Sequence, residues 1–405
     1  MAKEENKTQA SHSRPLRPFS SLQNFSDYIE AEGTTRGEDD SDIRIKETEV
    51  DTSISAYPAD KIPIQIRRLQ LYKEGLKNLQ LKPSYVQWLC TDQCQFRCDH
   101  CDMRVSKPSL DGLATQEMIK ALDTLSFLGC DTFSVIGGDP LLRNDLFDVL
   151  DYAKRKGMKI ALTTHTYDIE RFLHKIEQAQ LDSIMVSIDG YRFHHDQIRG
   201  KEGDYEKCLQ CLRVFYDIDI PVIGVSILVM DENIHDIPKI IDDVYTYGGN
   251  RLQIQPLLFK KRNRPQIVKE ALRQIYYARF KGFNIEASEG FGYLGYMETL
   301  FRSSNFFCGC GWDTFTIMPD GKIMGCTALN SSNHAEGNIK EDDLQSVWYS
   351  KFNRFRDDIP EDLPSNCKAC PYLQMCRGGC WLFRAYSQDP CFLRQAEEVV
   401  AQIFS

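Results

Sequence analysis

Between residues 81 and 285 the chain alternates short apolar runs with longer stretches whose apolar residues recur every three to four positions. Tyr85–Cys90, Thr132–Ile136, Met158–Thr163, Ser183–Ile188, Val222–Val229 and Leu252–Gln255 read as strands. Short, nearly continuous apolar runs of this kind suit a sheet covered on both faces. Thr115–Leu128 places Met118, Leu122, Leu125 and Leu128 on one helical face, and residues 145–156, 168–179, 204–217, 235–247 and 265–281 also read as helices. Strands alternating with longer helices predict an α/β fold with a parallel sheet. Six such units are too few for a complete eight-fold barrel, so the expected core is an open, partial (β/α)6 TIM-like barrel over residues 81–285. In such barrels the chemistry sits on loops at the C-terminal ends of the strands.

Outside that core the pattern fades. Residues 1–60 carry 7 Lys/Arg against 13 Asp/Glu and little apolar periodicity, which predicts a disordered acidic extension. The alternative there is a short docking helix between Arg17 and Tyr28, using Phe19, Leu22, Phe25 and Tyr28. Residues 61–80 read as a linker or helix leading into the core. Residues 286–405 form a second region, small and cysteine-rich.

The longest apolar run, Ile220–Met230, is 11 residues, whereas a bilayer span needs about 18–20. With no apolar signal stretch among the first 30 residues, the expected location is cytoplasmic, without a membrane partner. Past residue 60 the balance is 42 Lys/Arg to 45 Asp/Glu, so the basic excess that would neutralise nucleic-acid phosphates is missing.

Fifteen cysteines change the picture. An odd number in clustered spacings opposes a disulfide framework and favours metal. Cys94-x3-Cys98-x2-Cys101 directly follows the first strand. Three thiolates on a tight loop can hold three irons of a four-iron cluster and leave the fourth open to an external ligand. The competing reading is zinc, with His100 or Cys90 as fourth ligand. Gly137–Gly138–Asp139–Pro140 follows the second strand. Alone it is an ordinary turn; its glycines also let backbone approach a ligand, and its carboxylate can accept from an ammonium. Eight cysteines lie between Cys308 and Cys391: Cys308, Cys310 and Cys326 around Gly321, then Cys367-x2-Cys370-x5-Cys376-x3-Cys380 and, ten residues on, Cys391. Metal would hold such a region together, and a zinc ribbon is the alternative to iron.

Taken together these segments resemble the radical S-adenosylmethionine (SAM) enzymes. The three-cysteine loop is similar to theirs, with His100 at the usually aromatic position. Gly137–Gly138–Asp139–Pro140 resembles the Gly-Gly-Glu-Pro motif that holds the SAM amino group, although Asp139 is one methylene shorter than the usual Glu. Ser187–Ile188–Asp189–Gly190 is similar to a Ser-Leu-Asp-Gly segment of related enzymes. Arg199–Gly200 resembles the site of an Arg associated with the SAM carboxylate. The C-terminal string resembles the SPASM domain, which carries auxiliary iron–sulfur clusters. By that resemblance Cys367, Cys370, Cys376 and Cys391 would hold a distal cluster. Cys380 would join Cys308 and Cys326 at a proximal one, with Cys310 as candidate fourth ligand. Three 4Fe–4S clusters and SAM are thus the implied cofactors.

The resemblance implies reductive cleavage of SAM to methionine and a 5′-deoxyadenosyl radical that removes hydrogen from a substrate. SPASM regions most often accompany enzymes acting on ribosomally made precursor peptides, installing cross-links or other modifications. A separate leader-peptide recognition protein and an electron donor such as flavodoxin or ferredoxin are the implied partners. The alternatives are a formylglycine-type sulfatase maturase, against which Thr327 stands where an Asp usually follows the cysteine, and a small-molecule dehydrogenase or haem-pathway enzyme. From another class, a non-catalytic zinc-ribbon binding protein remains. Cys208 and Cys211, with Leu212 and Phe215, read as a buried helix stripe, and Cys90 and Cys130 as packed core thiols. His194–His195 reads as solvated loop in preference to a substrate contact. Phe291, Tyr293 and Tyr296 suit either a substrate channel or a packed bridge.

Overall fold

A computed structural model describes residues 63–98, 100–101, 112–165, 168–257, 265–328, 332–356, 363–386 and 391–405. The acidic extension and its docking helix lie outside the described residues. A helix, α1 (Ile64–Lys77), leads into the core. All six expected strands form: β1 (Tyr85–Leu89), β2 (Thr132–Ile136), β3 (Lys159–Thr164), β4 (Ser183–Ser187), β5 (Val222–Val229) and β6 (Arg251–Pro256). They pair in chain order and in parallel. Between them run α2 (Thr115–Phe127), α3 (Leu146–Arg155), α4 (Leu173–Ala179), α5 (Phe193–Arg199), α6 (Asp204–Asp217) and α7 (Ile237–Thr246), with α8 (Pro265–Phe280) after β6.

The sheet extends beyond the six units. β7 (Ile285–Ala287) adds in parallel to β6. On the other edge β8 (Thr314–Ile317) pairs in parallel with β1, matching Val86 to Phe315 and Trp88 to Ile317. A hairpin to β9 (Lys322–Met324) and then β10 (Ala335–Asn338) completes the order β10-β9-β8-β1-β2-β3-β4-β5-β6-β7. The chain reverses between β8 and β9 at Gly321, whose φ of +90° and close approach to Asn338 demand glycine. Strands of three or four residues are too short to announce themselves by periodicity, which is why the sequence pattern ends at six.

The partial barrel is therefore an open sheet with a cysteine-rich region sewn to its first strand. Val86, Trp88, Phe133, Val135, Ile160, Leu162, Ile184 and Val186 are fully buried. Each such side chain contributes about 1.5–3 kcal/mol relative to exposure. Two polar ties fasten the C-terminal region to the segments before β1. Trp348, on α10 (Leu344–Ser350 once α9, Glu298–Phe301, is passed), donates its indole N–H to the Leu81 carbonyl at 2.7 Å. The Tyr72 hydroxyl donates to Asp313 at 2.5 Å.

Cys90, Cys130, Cys208 and Cys211 are all buried in the hydrophobic core, as packed thiols. The two histidines differ from expectation. They lie on α5, where His195 is completely buried and its Nε2 lies 2.9 Å from Asp204, while His194 pairs with Asp236 at 2.6 Å. A buried acceptor and donor on either side of the ring make burial of His195 favourable, and pattern alone carries no sign of that. Phe291 packs on Phe392 and Tyr293 on Tyr372, forming a packed bridge, whereas Tyr296 is exposed.

Candidate active site at the C-terminal ends of the strands

The loop after β1 folds onto the turn after β2. Gly138 N–H donates to the Thr91 carbonyl and Asp139 N–H to the Gln93 carbonyl, each at 2.7 Å. A Cβ on Gly137 would lie 2.6 Å from the Thr91 oxygen, and one on Gly138 only 2.1 Å from the Gln93 oxygen. The glycines thus admit the cysteine loop itself, before any ligand. Pro140 opens a short 3-10 turn, Pro140–Leu142.

A cavity of about 550 Å3 opens beside this junction. Cys94, Cys98 and Cys101 line it together with Gly137, Gly138, Ser187 and Arg199. Cys94 is exposed, Cys101 half-buried and Cys98 buried. Burial pushes the Cys94 thiol up to about 11, with further pushes from Asp139, Cys98 and Cys101, while the Phe96 N–H opposes them. Three thiols sharing one cavity wall fit a cluster bound through three irons. Of the two candidates for a fourth zinc ligand, Cys90 is packed in the core, whereas His100 lines the cavity beside the three cysteines with its Nε2 3.4 Å from Asp189.

Asp139 sits behind the wall, next in the chain to Gly138, and is fully buried. Its Oδ1 accepts from the Leu141 N–H at 3.2 Å and the Thr164 hydroxyl at 3.0 Å, while Oδ2 has no hydrogen-bond partner. Burial pushes the carboxyl up, against the pull of Thr164, Leu141 and Gln95. A buried carboxylate oxygen lacking a donor offers the acceptor an ammonium group needs, one residue beyond the glycines that line the cavity.

Asp189 is held from several sides. Its N–H donates to His195 Nδ1 at 3.0 Å, its carbonyl accepts from Asn233 at 2.7 Å, and its Oδ1 accepts from the Leu228 N–H at 2.9 Å. Its Oδ2 lies 2.6 Å from Arg199 Nη2. Burial would raise this carboxyl, but Arg199 and His100 outweigh it and hold it below the usual carboxylate range. The other edge of Arg199 faces Cys98 Sγ at 3.7 Å and His165 Nδ1 at 3.4 Å. Burial, then the Arg199 charge, pushes His165 down to about 3, so its ring is neutral at pH 7.

Sequence reasoning missed His165 after β3, Leu228 on β5, and Gln255, Pro256 and Leu257 at the end of β6, all of which line the cavity. Their position at the carboxyl ends of parallel strands was the available signal. Ala328 and Leu382 come to the same cavity from the cysteine-rich region.

Six of the eight C-terminal cysteines border two small pockets, and Cys376 borders both. Cys367, Cys370, Cys376 and Cys391 line one small cavity with Tyr293 and Leu393. Burial pushes the Cys376 thiol up to about 12, helped by Cys391, Cys370 and Cys367. At the other pocket Cys310 interacts with Cys308 and Cys326, which pushes its own thiol up and holds the Cys308 thiol below its ordinary range. Gly379 and Trp381 border the pocket of Cys308 and Cys310, so the chain passes it at Cys380.

Residues 88–244 match the Radical SAM superfamily, and residues 308–371 match SPASM, an iron–sulfur cluster-binding domain. Among curated relatives, Fe-coproporphyrin III synthase of Methanosarcina barkeri is 24% identical over 365 residues, covering 78% of this chain and 89% of the relative. The antilisterial bacteriocin subtilosin biosynthesis protein AlbA of Bacillus subtilis is 23% identical over 312 residues, 74% of this chain and 67% of AlbA. Among solved structures, Streptococcus suis SuiB bound to precursor peptide SuiA shares the fold at a TM-score of 0.66 and 16% identity, covering 92% of this chain and 87% of SuiB.

The chain is a radical SAM enzyme with a SPASM domain. Within that class it is related to peptide maturases such as AlbA. SAM and 4Fe–4S clusters are the cofactors this membership implies, and the non-catalytic zinc-ribbon reading falls away. Among the described residues no helix is long and apolar enough to cross a membrane.

Proposed function

We propose that the enzyme modifies a ribosomally made precursor peptide, installing a cross-link or another side-chain or backbone change. The observation that carries this reading is the form of the cavity. It runs from the three-cysteine loop, where the cluster and SAM would sit, past the ends of β4, β5 and β6 to Ala328 and Leu382, so that its far end is left for a substrate. Leu228, Pro256, Leu257 and Leu382 give it an apolar side and Ser187 and Gln255 polar points, which suits a peptide segment with one side chain inserted.

When bound, a reduced 4Fe–4S cluster and SAM supply a 5′-deoxyadenosyl radical that takes a hydrogen atom from the substrate. In this reading Cys94, Cys98 and Cys101 hold that cluster. Gly137, Gly138 and Pro140 shape the turn on which Asp139 Oδ2 accepts from the SAM ammonium. Ser187, Asp189 and Arg199 form the facing wall. Cys367, Cys370, Cys376 and Cys391 hold one auxiliary cluster, and Cys308, Cys310, Cys326 and Cys380 the other, making three 4Fe–4S clusters in all. A low-potential donor such as flavodoxin or ferredoxin in the cytoplasm, and a separate leader-recognition protein, complete the system.

A haem-pathway substrate is the second reading, favoured by the similarity to Fe-coproporphyrin III synthase. The sulfatase-maturase reading is weakened at Thr327, whose hydroxyl is bonded to Thr316 and Gln87 and offers no carboxylate base. The test is anaerobic incubation of the reconstituted enzyme with SAM and reductant, adding in turn the peptides encoded by short reading frames beside its gene and an iron porphyrin-type precursor of Fe-coproporphyrin III. A mass change in a peptide, with 5′-deoxyadenosine formed in step, supports the proposal. Turnover of the porphyrin with every peptide unchanged overturns it.

A further inference from the structure

The resemblance that reveals this site gives Arg199 to the carboxylate of SAM, yet the guanidinium is occupied otherwise. Nη2 pairs with Asp189 Oδ2 at 2.6 Å, and Nη1 faces Cys98 Sγ at 3.7 Å and His165 Nδ1 at 3.4 Å. The side chains of Arg199 and Asp189 are 6% and 2% exposed, so water screens neither charge well. Arg199 ends α5, and Gly200, at a φ of +70°, turns the chain away immediately after it. Asp189 is fixed by Leu228, Asn233 and His195, the last backed by Asp204 at 2.9 Å. This framework sets one positive and one negative charge at fixed distances from a single sulfur.

We infer that Arg199 and Asp189 act as an opposed pair that sets the reduction potential of the SAM-binding cluster through the sulfur of Cys98. A cationic N–H donating to a cluster thiolate withdraws electron density and favours the reduced form, so it raises the potential; the carboxylate behind it takes part of that effect away. Arg199 is on this account a positioning and tuning residue toward the cluster. Its Nε, buried and without a hydrogen-bond partner, and the second hydrogen of Nη2 are the donors left over for a carboxylate. The inference rests on the reading that the Cys94–Cys98–Cys101 loop holds the SAM-binding cluster.

Opposite signs make the test specific. The full-length, cluster-loaded enzyme is titrated with reductant under EPR, following the signal that changes on adding SAM, in wild type, Arg199→Gln and Asp189→Asn. Removing the cation is expected to lower the midpoint potential. Removing the carboxylate, with an isosteric amide that still accepts from Leu228, is expected to raise it. A general disturbance of the fold would move both variants the same way. Equal midpoints in all three proteins, or shifts of one sign, overturn the inference. Equal midpoints with SAM binding weakened about tenfold or more in Arg199→Gln would return Arg199 to the carboxylate. If the SAM-responsive signal persists in Cys98→Ala, or no such signal exists, the cluster assignment fails and takes the inference with it. A SAM-responsive signal with unshifted midpoints refutes the inference alone.

Discussion

Gly138 passes so close to Gln93 that any side chain would collide with the backbone carbonyl: the Cβ position is 2.1 Å from that oxygen. The two residues belong to the loops after β2 and β1, and their contact sets where the three cysteines stand. Gly138→Ala is therefore expected to displace the cysteine loop while sparing the C-terminal region. Iron analysis after reconstitution should show about four irons fewer per chain, one 4Fe–4S cluster, with SAM cleavage lost. Full iron with normal cleavage would mean that the loop yields easily.

The three-cysteine loop lines a cavity that none of the C-terminal cysteines lines, which predicts a split between functions. Three full clusters correspond to about 12 irons per chain. Cys94→Ala should abolish SAM cleavage and leave the auxiliary iron. Cys376→Ala should lose the distal cluster and retain cleavage at least in part. Equal loss of all iron in both variants would mean that the clusters assemble as one unit and that the partition is wrong.

Cys310 makes a narrower prediction because its thiol interacts with both Cys308 and Cys326. If it is the fourth proximal ligand, Cys310→Ala should open one iron, so that cyanide or a small thiol perturbs the Mössbauer spectrum of that cluster in the variant and not in the wild type. The same perturbation in both proteins would show that the iron is open already.

Stability should depend on the tie between Trp348 and Leu81. Trp348→Phe keeps an aromatic ring but leaves the Leu81 carbonyl without its indole donor. An orphaned buried acceptor costs about 1–3 kcal/mol. Denaturant melts of the cluster-loaded enzyme should show a lower midpoint, and an unchanged midpoint would mean that water replaces the donor.

Much of this molecule could be read from pattern. The six strands and most of their helices follow from local periodicity, and the cysteine spacings announced metal, with iron–sulfur clusters implied by the family resemblance. Cys208 and Cys211 were separable from the ligands because they recur with Leu212 and Phe215 at helical spacing, and all four are buried. His195 went the other way. Whether a histidine in a polar segment faces water or the core depends on Asp204 and the Asp189 amide.

The sequence by itself determined the class of chemistry and the order of the β/α units, since both are written in neighbours along the chain. Only the tertiary structure decided that β8 pairs with β1 and that β7 extends the other edge, because such short strands owe their existence to the sheet they join. It decided also that the glycines after β2 make room for the cysteine loop, and that Arg199 lies between Asp189 and Cys98. Those relations join residues as many as 229 positions apart, as Val86 and Phe315 are. Burial gives them their strength, and burial at that range is a property of the packed chain.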